Sequence, residues 1–119
     1  MPRAPEGKPA NPADALPLHP HDFRILMALT GGPSYGTEIV RGIEAAEGRE
    51  KLYPANLFRR IRDLLQRGLL EESPAPEGAD PRRTYVRLTR RGRLVARAEA
   101  RRLHDLVREA ASLDLLPGG

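Results

Sequence analysis

Between Asn56 and Gln66 the chain reads Asn-Leu-Phe-Arg-Arg-Ile-Arg-Asp-Leu-Leu-Gln. Its polar members are of the types that read nucleic acid. An arginine guanidinium forks onto the O6 and N7 edge of guanine, and an asparagine amide pairs with the N6 and N7 edge of adenine. Asn56 and Arg59 are therefore the base-reading candidates, against the plainer reading of a solvated helix face. Arg60 and Arg62 suit phosphate contact or support of the helix, and Asp63 could orient a neighbouring arginine. Arg82 and Arg83 form a second cationic pair suited to clamping phosphate, or to keeping a hairpin soluble. Arg90, Arg91 and Arg93 open a helix whose dipole they oppose, which points to a partner for their charge. Tyr35 and Tyr85 could reach phosphates, although packing is the more ordinary role for tyrosines in such segments.

Other chemistries find less support. The chain has no cysteine, which removes disulfides, thiol catalysis and Cys-ligated zinc. His19, His21 and His104, with Asp22, make a loose set of metal-ligand types, but no spacing enforces a site, so no metal is assigned. There is no carboxylate cluster around a Gly-rich loop, no nucleophile motif and no cofactor fingerprint. The chain is thus read as a non-enzyme without a cofactor.

These residues need elements to position them, and 119 residues allow one core. Leu (17) and Ala (15) dominate the apolar residues, with five aromatics and no Trp, which suits a small helical core. Residues 1–18 hold five of the 12 prolines, and their composition predicts a disordered arm. A first helix starts at Pro20-His21-Asp22, with Phe23, Leu26, Met27 and Leu29 as its apolar stripe, and stops at Gly31-Gly32-Pro33. Ser34 is placed to cap a second helix that buries Tyr35, Ile39, Val40 and Ile43 and stops at Gly48. Pro54 opens a third, in which Leu57, Ile61, Leu64 and Leu65 share one face, and Gly68 closes it. The opposite face carries Asn56, Arg59, Asp63 and Gln66, flanked by Arg60 and Arg62.

Leu69–Ser73 and Arg83–Leu88 read as the two strands of a hairpin, with Pro74 to Pro81 as its loop. Thr89 caps a last helix running to about Asp114 past a tolerated Gly92. At roughly 25 residues this helix would be about 37 Å long. Its Leu103, Leu106, Ala110 and Leu113 recur at 3, 4, 3 spacing, a seam for a partner helix. The order helix, helix, helix, hairpin is that of a winged helix-turn-helix. The fold class expected is mainly α with a small β hairpin, plus a long C-terminal dimerisation helix. Its divisions are an arm at 1–18, a DNA-binding domain at 19–89 and a dimerisation helix at 90–116.

Charge position sharpens this reading. Of the 20 basic residues 18 are Arg, which codon bias alone could produce. Residues 54–102, however, hold 13 basic and 6 acidic side chains, net +7, and the remainder is net −3. Cations gathered on the third helix, the hairpin and the start of the last helix suit a polyanion such as duplex DNA. No apolar run reaches the roughly 20 residues of a membrane span, and no signal core opens the chain, so a soluble, cytoplasmic protein is expected.

The run Gly32-Pro33-Ser34-Tyr35-Gly36-Thr37-Glu38-Ile39, then Tyr53-Pro54-Ala55-Asn56-Leu57-Phe58-Arg59, then Gly68-Leu69-Leu70, then Pro81 to Arg93 resembles the PadR family of bacterial transcriptional regulators, over about residues 20–112. Thr37, Tyr53 and Phe58 depart from that pattern, standing where the family commonly has Tyr, Ser and Tyr. Glu77 and Asp80 add negative charge to the wing. The resemblance implies a homodimer built largely through the C-terminal helix, usually a repressor of a palindromic operator, open to release by a small-molecule effector. It places the protein in the bacterial cytoplasm, nucleoid-associated when DNA-bound. Together with the residue reading it gives Tyr35, Ala55, Asn56, Arg59, Arg60, Arg62, Arg82 and Arg83 as the DNA-binding set. Phe23, Met27, Leu103, Leu106, Ala110 and Leu113 form the dimerisation set. The rival reading is a winged-helix protein–protein interaction module without specific DNA binding.

Overall fold

The computed structural model describes residues 11–48 and 54–117, with residues 54 and 55 described through their backbone alone. Among the described residues there are four α-helices, α1 (Pro20–Ala28), α2 (Gly36–Glu47), α3 (Pro54–Gln66) and α4 (Arg90–Ser112), and a small sheet. The strands β1 (Ser34–Tyr35), β2 (Leu70–Ser73) and β3 (Tyr85–Leu88) pair antiparallel in the order β1-β3-β2. Leu70 lies opposite Leu88 and Ser73 opposite Tyr85 in the hairpin, and Ser34 opposite Val86 on its far side. The expected hairpin is therefore two strands of a three-stranded sheet. Two residues are too short a run for alternation to reveal a strand, which is why β1 escaped the sequence reading.

The core is aliphatic: Ile25, Leu26, Leu29, Ile39, Ile43, Leu57, Leu64, Leu69, Leu70 and Val95 lie inside it. Each helix buries one stripe, as the apolar spacing requires. The stripe of α1 is rotated from the expected one. Asp22, Ile25, Leu26 and Leu29 are buried, whereas Phe23 is half-buried and Met27 is exposed. A carboxylate in the core phase of a helix has a partner to find, and it is found below.

Several local signals hold. Gly48 and Gly68 adopt left-handed φ of 69° and 77° past the ends of α2 and α3, a conformation open to glycine without strain. The Leu69 N–H reaches the Leu64 carbonyl at 3.0 Å to complete the turn after α3. The Thr89 hydroxyl accepts from the Gly92 N–H at 2.9 Å, capping α4. The same hydroxyl donates to the Gly68 carbonyl at 2.7 Å, tying the start of α4 to the end of α3.

Ser34 does not cap α2. It sits in β1, Tyr35 takes the N-cap position, and the Ser34 hydroxyl donates to the Glu38 carboxylate instead. Gly92 is required rather than tolerated: a Cβ there would lie 2.0 Å from the Leu69 carbonyl oxygen. Contact between α4 and the backbone leading into β2 thus depends on a missing side chain.

The expected disordered arm divides. Residues 1–10 lie outside the described residues. Residues 12–15 form one 3-10 turn capped by the Asn11 side chain, and Leu18 is buried in the core with Ala15 and Leu16 packed against it. Composition underweighted this short segment because α4, distant in sequence, supplies the surface it covers.

Candidate nucleic-acid interface

Helix α3 presents its polar face because its apolar stripe is held in the core. Leu57, Ile61 and Leu64 are buried and Leu65 and Phe58 are half-buried. On the wheel, Arg59 and Gln66 stand opposite that stripe, with Arg62 toward α2 and Asn56, Arg60, Asp63 and Arg67 toward α1. Asn56, Arg59, Arg62 and Gln66 are exposed. Phe58 packs on α2: its ring would lie 2.4 Å from a Cβ at Gly36, so the two helices meet where Gly36 leaves room. Ala55 belongs to the span of α3, but its side chain lies outside the described residues, as does Tyr53.

The α1 flank of α3 borders an open cleft. His19, His21, Asn56, Leu57, Arg59, Arg60 and Asp63 line a cavity of about 450 Å³ between the two helices. The His19 Nδ1 accepts from the His21 N–H at 3.0 Å and caps α1. His21 Nε2 lies 3.3 Å from Glu47, which also receives Arg24 at 2.8 Å. These histidines thus have work in the fold. Among the described residues no three ligand-type side chains are grouped to hold a metal ion.

Arg60 does not project toward solvent alone. Its guanidinium meets Asp22 at 3.1 Å, and Arg67 approaches the other Asp22 oxygen at 3.5 Å while bonding Asp63 at 3.0 Å. The Asp22 carboxylate itself is 7% exposed at the α1–α3 seam, whereas its partners Arg60 and Arg67 keep 32% and 37% of their side chains exposed. The sequence reading missed Asp22. The signal was present in its place on the Ile25, Leu26 and Leu29 stripe.

The wing is built around Asp80. Its carboxylate accepts from the Arg82 N–H at 2.9 Å and from the Arg82 side chain at 3.1 and 3.2 Å. Arg83 stands 3.9 Å away. Hydrogen bonds from Arg82 hold the Asp80 carboxyl below its usual range. Asp80 is therefore a local partner of the wing arginines rather than a separate negative tip, while Glu77 remains exposed near the turn at Gly78. Arg83 also lies over the Tyr35 ring, 4.2 Å from its centre, and Tyr35 meets Tyr85 edge to face at 5.6 Å. Tyr35, half-buried, joins β1 to the base of the wing. The structure brings Tyr35, Arg82 and Arg83 together there, and Asn56, Arg59, Arg60 and Arg62 together on α3.

Helix α4 runs past the core. Leu106 and Val107 are each 52% exposed and Leu113 62%, whereas Leu103 and Ala110 are half-buried. Met27 of α1 is likewise exposed, at 42%.

Among the described residues, four helices and a three-stranded sheet whose hairpin forms the wing define a winged-helix fold. The chain belongs to the transcriptional regulator PadR-like family, whose model matches residues 25–98. No curated protein matches it in sequence. Its fold is similar to that of a PadR family transcription regulator from hypervirulent Clostridium difficile. The two share 19% identity and a TM-score of 0.65, over 78% of this chain and 96% of that one. A transcriptional regulator from Clostridium thermocellum is 25% identical with a TM-score of 0.62, over 77% and 86% of the two chains. RosR of H. salinarum is 25% identical with a TM-score of 0.57, over 84% and 99%. Among the described residues no helix is long and apolar enough to cross a membrane.

Proposed function

We propose that this protein is a dimeric repressor that binds a palindromic operator. The observation that carries the reading is the polar face of α3: Arg59 stands opposite the buried stripe, Arg62 and Asn56 are exposed beside it, and the segment 54–102 that contains them carries net +7. A helix of this kind fits the major groove, where Arg59 reads guanine and Asn56 adenine. Arg62 and the wing arginines Arg82 and Arg83, with Tyr35 beneath them, take the phosphates. Cation release by these contacts supplies the affinity and makes it salt-dependent.

The dimer is formed through Leu103, Leu106, Ala110 and Leu113 of α4 with Phe23 and Met27 of α1. The exposed apolar row supports this, because water leaves it when a second copy covers it. Two α3 helices then enter successive major grooves, about 34–36 Å apart. A small molecule bound in the dimer would release DNA by changing that separation. Such a protein works in the cytoplasm, on the chromosome.

Selection of bound genomic fragments at physiological salt tests the reading. A shared palindromic sequence, retained with an affinity that falls steeply as salt rises, is expected. Failure to retain any fragment, with binding to an acidic protein instead, replaces it with a protein-interaction module. A thermal-shift screen checks the effector, and the expected hit also lowers operator affinity.

A further inference from the structure

Asp22 is a carboxylate of α1 set in the phase of the buried residues Ile25, Leu26 and Leu29. Removing a carboxylate from water is costly unless charge and hydrogen bonds replace the water. Here the replacement comes from α3 and the residue that follows it, with Asp22 also in the first turn of α1, where the helix dipole favours a carboxylate. Arg60 binds one carboxylate oxygen at 3.1 Å and Arg67, two turns later, approaches the other at 3.5 Å. Arg67 is held in turn by Asp63 at 3.0 Å. Two points on one flank of α3 are thus tied to one point on α1. A single tie would leave α3 free to roll about its axis, whereas two ties spaced along the helix fix both roll and height.

The ties also settle where two cations go. Arg60 and Arg67 stand on the same flank as Asn56, close to the exposed apex at Arg59. Without Asp22, each guanidinium is long enough to swing outward to phosphate. The residue after Asp22 is Phe23, assigned above to the dimer surface, so the carboxylate joins that surface to the face of α3.

We infer that Asp22 is a positioning residue for DNA recognition: by holding Arg60 and Arg67 it sets the orientation of α3 and withholds two cations from the DNA backbone. The inference rests on the DNA-binding reading and deepens it. It has a consequence opposite to that of losing a contact residue. Asp22→Asn keeps the shape but loses the charge, which loosens α3 and releases the two arginines. Sequence discrimination falls while attraction to any duplex rises.

The test measures binding of the full chain to its selected operator and to an unrelated duplex across a salt series, with folding checked by circular dichroism. Wild type is measured first. If it binds neither duplex, the DNA-binding reading itself fails, independently of Asp22. If wild type discriminates, Asp22→Asn is expected to reduce the specific-to-nonspecific affinity ratio about tenfold or more. Its nonspecific log K against log salt slope is expected to steepen by about 0.9 for each freed cation that takes a phosphate. An unchanged slope, or an unchanged ratio, overturns the inference. Where Asp22→Asn does not fold, Arg60→Gln decides. A lower affinity ratio with an unaltered slope shows Arg60 positioning the helix, and a slope shallower by about 0.9 shows it bound to phosphate and overturns the inference.

Discussion

Two clusters of aspartate and arginine can be compared, one at the α1–α3 seam and one at the base of the wing. In the first, Asp22 is 7% exposed and its arginine partners Arg60 and Arg67 lie 38 and 45 residues away in sequence. In the second, Asp80 is 32% exposed and Arg82 88%, and the partners are two residues apart. The chemistry is the same and the consequence differs. An exposed pair is screened by water and salt and contributes little, so a phosphate can draw Arg82 away from Asp80. The buried carboxylate of Asp22, if stripped of its partners, would be left without water or charge, so its arginines stay. An arginine beside an aspartate is thus fixed framework in one place and a ready contact in the other, and burial decides which.

The comparison assumes that wing and α3 are carried on one rigid frame, and the largest expected effect comes from breaking that frame. Gly92→Ala drives a methyl into the Leu69 carbonyl, where helix end, strand and α4 meet. A loss on the order of 3 kcal/mol or more is expected, from overpacking against backbone that cannot rotate away. Chemical denaturation measures it, and wild-type stability would show that the frame gives way more easily than its geometry suggests.

Next comes the apex of α3, where no buried carboxylate has been assigned to Arg59. Arg59→Ala should cost about 1–3 kcal/mol of operator affinity and relax preference at one base position, as for a forked guanine contact. A uniform loss across all sequences would make Arg59 a phosphate ligand instead.

A second buried carboxylate extends the comparison to α4. Glu99 is 2% exposed and accepts from Arg102 at 2.8 and 2.9 Å, which holds its carboxyl below the ordinary 4.5, with a lesser contribution from the Leu18 backbone. The same pair raises the pKa of Arg102. Because the folded-state pKa of Glu99 is depressed, its contribution is fully present above pH 4.5 and is lost as pH falls through the lower folded value. Glu99→Gln should therefore destabilise at neutral pH by on the order of 1.5–3 kcal/mol. The gap from wild type should narrow in acid below 4.5, as thermal unfolding across pH will show.

The smallest effect belongs to the wing. Asp80→Asn removes a partner that the arginines can already leave, so it should steepen the salt slope by at most about 0.9 and leave operator preference intact. A loss of discrimination as large as that expected for Asp22→Asn would erase the distinction between the clusters.

Much of the scaffold was legible because it rests on neighbours in sequence. Leu57, Ile61, Leu64 and Leu65 mark a helix by spacing alone, Gly68 ends it and Thr89 caps the next. The polar face of α3, with Asn56, Arg59 and Arg62, follows from the same periodicity. What escaped lies in contacts between distant segments. The stripe of α1 was read one residue off because an aspartate was not expected inside. Ser34 looked like a cap because its pairing with Val86 depends on a strand far down the chain. Leu18 looked solvated because the surface that buries it is assembled by the fold.

The sequence by itself determined the order of the four helices and the hairpin, the family pattern and the gathering of positive charge on α3, the wing and the start of α4. These follow from local backbone preference and from apolar spacing, which act over a few residues. Only the tertiary structure decided which arginines are held by a buried carboxylate, because that depends on the carboxylate's depth and on partners up to 45 residues away.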